Sequence, residues 1–307
     1  MHSIIRLKYL WLVWCFLSLV TKSSAQEYDP IVNVIHLDSF VVTATRSGFE
    51  VADFVEMVQE DESFYQAFRN LRFLSYQSDN EFNIYHKKGK QLAKYEAKVQ
   101  QNETQGCRKT EILEEQVTGN YFKRKRKLRY YTAELFDRLF FAHEEICESQ
   151  NKEVELLSGM EKHIHELKKL IFQPGEEADV PFIGKKTAIF EEHMMPYYTY
   201  SIESKKYVGS TDCYVFSAKV KPEFKADKTI IKSLETYFDK ANFQVIARNY
   251  QLQYEGFAFD FDVTMNIRLH KLGKTYVPTF LSYDGFWKVA TQKPEIAKFS
   301  ATFYDFE

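Results

Sequence analysis

The chain reads as an α+β protein, a long antiparallel sheet built mainly from residues 197–307 and packed on helices, with a helical hairpin inserted at about 131–171. Three observations predict this. From Phe259 to His270, the apolar residues Phe259, Phe261, Val263, Met265, Ile267 and Leu269 alternate strictly with Asp260, Asp262, Thr264, Asn266, Arg268 and His270. A period of two places one face of a strand on a core and the other in water. Between Glu50 and Leu74 apolar residues recur instead at helical spacing. The third observation is compositional: 27 Phe and 20 Tyr against 11 Gly and 7 Pro give much ring surface on a polar background, which suits strands.

The N-terminus settles the compartment the sequence expects. Arg6 and Lys8 form a positive region, Tyr9–Val20 an apolar run too short to span a bilayer, and Ser23-Ser24-Ala25 a small-residue cleavage site. Residues 1–25 are thus predicted to be a signal peptide and 26–307 a single domain, beginning near Gln26 and either periplasmic or secreted. Cys15 is no lipid-attachment site, because Trp14 stands where a small residue is needed. Cleavage removes Arg6, Lys8 and Lys22 and no acid, so Lys+Arg falls by three from 41 to 38 against 43 Asp+Glu, a net charge of about −5. That balance argues against nucleic acid as a partner. Three cysteines remain, Cys107, Cys147 and Cys213, which allow at most one internal disulfide and leave a thiol over.

In chain order, Phe40–Arg46 alternates as an edge strand. Val51, Phe54, Val55 and Val58, then Phe64, Phe68, Leu71 and Leu74, mark two short helices or one bent helix around the acidic break Glu60-Asp61-Glu62. Phe82, Ile84 and Tyr85, a turn at Lys87–Lys90 and a run to Val99 read as a hairpin, followed by a polar loop over Asn102–Thr110. Tyr131–Glu148 and Leu157–Ile171 are helical by spacing, and the short link Ser149–Lys152 makes them antiparallel. Phe172–Pro196 combines Pro174, Gly175, Pro181, Gly184 and Pro196 with Phe182, Ile183, Ile189, Phe190, Met194 and Met195. No regular element survives there, yet the segment is too apolar for solvent, so it is expected to pack over the core or to act as a flap on a cavity. Strands then follow at Cys213–Lys221, across Thr236–Tyr254 with a joint at Asp239–Asn242, at Phe259–His270, at Thr275–Tyr283, at Phe286–Ala290 after a turn at Asp284-Gly285, and at Phe299–Phe306.

Chemistry-bearing constellations are sparse. His163 and His165 lie two apart on a helix and point roughly 200° from each other, so they cannot share an ion; no metal and no other cofactor is expected. Asp260 and Asp262 stand about 6.6 Å apart on the polar strand face with Arg268 and His270, a spacing a glycosidase could use and a surface sheet uses for solubility. There is no GxSxG elbow and no phosphate-cradling glycine loop, so the chain is not expected to be an enzyme. The basic run Lys123–Arg129 follows the turn at Gly119-Asn120; in an exported protein Lys123, Arg124, Lys125 and Arg126 are candidates for contact with lipid headgroups.

Tyr237-Phe238-Asp239-Lys240 followed by Phe243-Gln244-Val245-Ile246, and Tyr276-Val277-Pro278 leading to Tyr283-Asp284-Gly285, resemble the LolA-like outer-membrane lipoprotein carrier superfamily and related exported Gram-negative proteins. The resemblance covers about 197–307 and, more loosely, 50–100; the helical hairpin and the basic run depart from it. It implies a strongly curved, half-barrel-like sheet wrapped around helices with an apolar cavity for acyl chains. Phe259, Phe261, Val263 and Met265, with Phe182, Met194 and Met195 of the flap, are then the candidate ligand-binding residues. The expected function is a non-catalytic cell-envelope protein that binds a hydrophobic or lipid-like ligand, such as a lipoprotein acyl chain, or an outer-membrane protein partner. A structural or assembly module without ligand is the alternative, and a hydrolase a more distant one.

Overall fold

A computed structural model of the chain describes residues 51–147, 175, 177–178, 183–207, 211–256, 259–289 and 293–307. The signal sequence, the strand expected at Phe40–Arg46, the hairpin helix at Leu157–Ile171 with its two histidines, and Phe182 lie outside these residues.

The acidic break separates two helices, α1 (Val51–Gln59) and α2 (Ser63–Asn70), the second running into a 3-10 turn at Leu71–Phe73. Asp61 accepts the Ser63 N–H at 3.0 Å, satisfying a donor that the start of α2 would otherwise leave open. Strands β1 (Tyr76–Tyr85), β2 (Gln91–Thr104) and β3 (Cys107–Gly119) follow, then α3 (Tyr131–Phe140), the two-residue β4 (Ile146–Cys147) and a single helical turn, α4 (Gly184–Thr187). The rest is a meander: β5 (Tyr198–Lys206), β6 (Asp212–Val220), β7 (Ile231–Asp239), β8 (Val245–Glu255), β9 (Phe259–Leu272), β10 (Thr275–Val289) and β11 (Glu295–Tyr304).

These strands form one open antiparallel sheet in the order β4-β3-β2-β1-β11-β10-β9-β8-β7-β6-β5. Among the described residues the first and last strands in sequence join its halves, from Gln77 opposite Tyr304 to Tyr85 opposite Ile296. The register carries one lateral row across nine strands: Tyr95, Phe82, Phe299, Tyr283, Met265, Tyr250, Leu234, Ala218 and Tyr200. This row defines the inner face, on which the helices lie. Phe261, Val263, Met265, Ile267 and Leu269 are all buried on it, as the alternation of β9 requires. The Phe54 ring of α1 meets Tyr214 and Phe238 edge-on at 5.5 and 5.6 Å. α2 is tied to β10 by the Asn70 amide, which donates to the Tyr276 carbonyl at 2.8 Å.

A buried charge fixes the helices further. Arg248 of β8, 2% exposed, donates to Asp61 at 2.9 Å and to Thr236 at 3.2 Å, and its guanidinium lies 4.3 Å above the Phe64 ring. Burial pulls its pKa down and the Asp61 carboxylate pushes it back up.

Four expectations change. The polar loop over Asn102–Thr110 is a hairpin: β2 and β3 run through it and turn on Gln105-Gly106, both left-handed at φ 55° and 79°. Two such residues make the turn whose twist matches its strands, and only the glycine announces it in the sequence. Asp284-Gly285 is no turn, because β10 passes straight through it. A Cβ on Gly285 would sit 2.2 Å from the Tyr283 hydroxyl, so the missing side chain is the space that this ring occupies. The helix expected to reach Glu148 stops at Phe140, and Ile146-Cys147 pair with Cys107-Arg108, where Cys107 and Cys147 are joined as a disulfide. Cys213 is a buried free thiol. The segment expected to hold no regular element forms a helical turn at Gly184–Thr187, and its Ile183, Ile189, Phe190 and Met194 are buried, with Phe190 packed on Tyr200 and Phe216, as one of its two expected roles requires. Among the described residues no helix is long and apolar enough to cross a membrane.

Candidate functional site

Over β1–β3 and β11 the inner face carries a cavity of about 640 Å³. Its floor is Asn80 and Phe82 of β1, Tyr95 and Val99 of β2, Thr110 and Ile112 of β3, and Phe299 of β11. Ala133, Phe136 and Asp137 of α3, with Phe141 and His143 just beyond it, form a wall. The chain from Tyr121 to Leu128 closes the remaining side and brings Lys123, Arg126 and Lys127 to the rim.

Each wall is held by specific contacts. Glu295 of β11 accepts the backbone N–H of Tyr131 and Thr132 at 2.9 and 3.0 Å, so a carboxylate from the sheet caps α3 and complements its dipole. The helix then turns Ala133, Phe136 and Phe140 inward, while Glu134 and Arg138, exposed at the cavity's edge, pair at i,i+4. Phe136 touches Phe299, Tyr283 and Phe82, with centroids at 4.6, 4.9 and 6.2 Å. Beyond the helix, Thr110 and Ala142 exchange hydrogen bonds at 2.7 and 3.0 Å, holding the Phe141–His143 link against β3.

The basic run becomes a small closed loop. Phe122 bridges Leu128, and the Lys123 N–H donates to the Lys127 carbonyl at 2.7 Å. Lys125 and Arg126 are left-handed at φ 59° and 57°, which costs a residue with a Cβ on the order of 1 kcal/mol. Arg126 offsets that cost by stacking 4.5 Å over the Phe122 ring and pairing with Glu115 of β3. Tyr121 lies flat on Tyr95 with centroids 4.8 Å apart.

The hydroxyls here stay protonated. Burial, helped by the Glu115 charge, pushes Tyr95 up to about 12, and burial raises Tyr121 as well. At the mouth, the 2.8 Å hydrogen bond to Asp137 raises His143, against a smaller opposing effect of burial. The cavity therefore has an aromatic body, a polar floor at Asn80 and Thr110, and a cationic rim, the distribution that suits an amphiphile.

Of the residues singled out in the sequence, Lys123 and Arg126 are brought together at the rim, while Arg124 and Lys125 are exposed on the same loop. Phe261, Val263 and Met265 are packed in the middle of the sheet, where Met265 sulfur accepts the Tyr250 O–H at 3.1 Å. Phe259 opens β9, Met194 is buried and Met195 exposed; Phe261, Val263, Met265, Met194 and Met195 lie outside the cavity lining. The lining residues that sequence reasoning missed include Asn80, Tyr95, Tyr121 and Phe136. The available signal was Tyr121-Phe122 directly ahead of a basic run.

The carboxylates of β9 are spoken for. Asp260 pairs with Lys288 at 2.6 Å and accepts the Gly256 N–H, which lower its pKa in that order, and Asp262 accepts from Gln251 at 3.1 Å. Arg268 lies 4.5 Å over the Phe280 ring and His270 is exposed. Cys107, Glu145 and Cys147 also come together, with both sulfurs joined to each other.

No family model and no curated relative matches the chain. Among solved structures it is similar to a domain described as an outer membrane lipoprotein-sorting protein from Vibrio parahaemolyticus, at 7% identity over 84% of this chain and 90% of that one, TM-score 0.28. It is similar to a DUF1329 family protein from Desulfovibrio piger at 12% identity over 85% and 92%, TM-score 0.25. A LolA superfamily protein from Nitrosomonas europaea matches at 10% identity over 82% and 92%, TM-score 0.24.

Proposed function

We propose that this chain is a non-catalytic, exported cell-envelope protein that binds a lipid-like amphiphile in the cavity between α3, the Tyr121–Leu128 loop and the sheet. The observation that carries this reading is the cavity itself: about 640 Å³, walled by Phe82, Tyr95, Phe136 and Phe299, with Lys123 and Lys127 at its rim. Rings supply apolar area for a chain. Lys123 and Lys127 supply charge for an anionic head, while Arg126 is engaged by Glu115. The signal-like residues 1–25 support export, and a Cys107–Cys147 bridge is at home in an oxidising compartment.

Native mass spectrometry of the exported protein tests this. The expected mature chain starts near Gln26 and carries acyl-chain species that organic extraction removes and added fatty acid restores. A chain that retains Met1, or one that arrives empty and takes up no fatty acid, would refute the respective half of the proposal.

A second reading, an assembly module, is favoured by one observation. Ile112, Leu113 and Val117 of β3 are 41, 49 and 42% exposed on a strand that β4 covers only at Cys107 and Arg108. Such an edge is open to pairing with a strand of an envelope partner. Concentration-dependent association of the purified chain with outer-membrane extracts, lost in Leu113→Lys, would support it.

A further inference from the structure

We propose that the Tyr121–Arg129 loop docks the chain, cavity mouth first, on an anionic phospholipid bilayer. The docking stands on the loop itself and rests on the reading above only for its use, which is to let an amphiphile pass between bilayer and cavity.

Lys123–Arg129 holds six cations and no acid, in a chain that is net acidic overall. All six are exposed. Elsewhere on the sheet exposed lysines pair with acids beside them, as Lys205 does with Glu203, Lys219 with Glu235 and Lys298 with Asp284. The loop departs from this habit. Arg126 is held by Glu115 and the Phe122 ring, and Arg129 donates to the Phe122 carbonyl at 3.4 Å, whereas Lys123, Arg124, Lys125 and Lys127 make no ion pair among the described residues. The acids that border the cavity do not serve them, because Glu134 is taken by Arg138 and Asp137 by His143.

Shape adds to charge. The loop is closed by the Phe122–Leu128 bridge and turns on Lys125 and Arg126, both left-handed, a conformation that glycine adopts freely. Cations thus stand at the tip where glycine would be easier, and like charges at this spacing repel one another. An anionic surface offsets that repulsion. Lys123 and Lys127 reach the rim, within range of the head of a bound amphiphile, but Arg124 and Lys125 lie outside the cavity lining, beyond what one head requires. Their charge is available to the headgroups of a surrounding leaflet, each such cation adding about fivefold to surface affinity.

Co-sedimentation of the mature chain with vesicles tests this, using phosphatidylcholine alone and phosphatidylcholine with roughly one third phosphatidylglycerol. The chain should partition onto the anionic vesicles at about 0.1 M salt, leave them at about 1 M, where the screening length falls from about 10 Å to about 3 Å, and ignore phosphatidylcholine. Arg124→Gln/Lys125→Gln should weaken partition about 25-fold, and Arg124→Lys/Lys125→Arg should retain it. Myristic acid binding without vesicles should stay within about twofold in both variants, since neither residue lines the cavity. Equal partition onto both vesicle types, partition onto neither, or full partition of the glutamine variant overturns the inference. Tighter binding to a short single-stranded DNA than to the anionic vesicles overturns it as well. Vesicle binding without uptake of myristic acid supports the docking and overturns the amphiphile reading, and uptake without vesicle binding does the reverse.

Discussion

At Arg248 a full charge sits on the inner face of the sheet with 2% of its side chain exposed, and Asp61, 7% exposed, is its ion-pair partner. A buried pair contributes little net stability but is expensive to break from one side. Asp61→Ala should therefore cost about 3–5 kcal/mol, and adding Arg248→Met should recover part of it; urea unfolding of the two single variants and the double variant measures this. If Asp61→Ala alone is harmless, the pair does not anchor the helices. His143 poses a smaller question. Its pKa is raised by Asp137, so the pair contributes below the ordinary histidine value near 6.5 and is lost as pH rises through the raised folded value. With the imidazole 51% exposed, the effect is on the order of a few tenths of a kcal/mol. Wild type should lose that increment relative to His143→Gln as pH rises above the ordinary histidine value of about 6.5, and a pH-independent difference would exclude the pair as its source.

Among the elements, β9 was legible because both of its faces are consistent over twelve residues, so no slip of register could satisfy them. Phe261→Ala on its inner face should cost about 3–5 kcal/mol by chemical denaturation, whereas a similar truncation on the outer face should not. β10 was half legible. Its glycine reads locally as a turn, and what makes it a strand is a ring two residues away. Tyr283 fills the space above Gly285, and its hydroxyl accepts the Trp287 indole N–H. Gly285→Ala should accordingly cost about 1–3 kcal/mol and become nearly neutral in a Tyr283→Leu background. Equal costs in both backgrounds would show that the ring is not the cause. β3 was illegible: Thr110–Gly119 is exposed along nearly its whole length, so no clean alternation marks it, and its hairpin turn carries a single glycine.

At the scale of the molecule, the Cys107–Cys147 bridge closes a separation of 40 residues that contains β3, the basic loop and α3, hence most of the cavity wall. Reduction should lower stability by about 2–4 kcal/mol, read as a drop in the urea midpoint, and should weaken fatty-acid binding together with it. Cys107→Ala/Cys147→Ala should behave alike with and without reductant. If reduction leaves both stability and binding unchanged, the wall is held by packing alone.

The order of hydrophobic and polar residues by itself determined that the C-terminal part is an antiparallel meander, that helical structure interrupted at Glu60–Glu62 precedes it, and that the strand from Phe261 to His270 buries its odd-numbered residues. These follow from local period, which every short segment carries in full. Tertiary structure decided where space remains. β1 meets β11 across more than two hundred residues of chain, and that pairing puts Asn80 beside Ala301. A carboxylate from the last strand places α3, and Phe136 then falls on Phe299 rather than on Met265. Phe261, Val263 and Met265, which looked most like a ligand surface, are buried in the middle of the sheet. The cavity forms instead where small side chains, a capped helix and a basic loop converge from distant parts of the chain, because a void depends on which side chains fail to meet, and no local pattern encodes that.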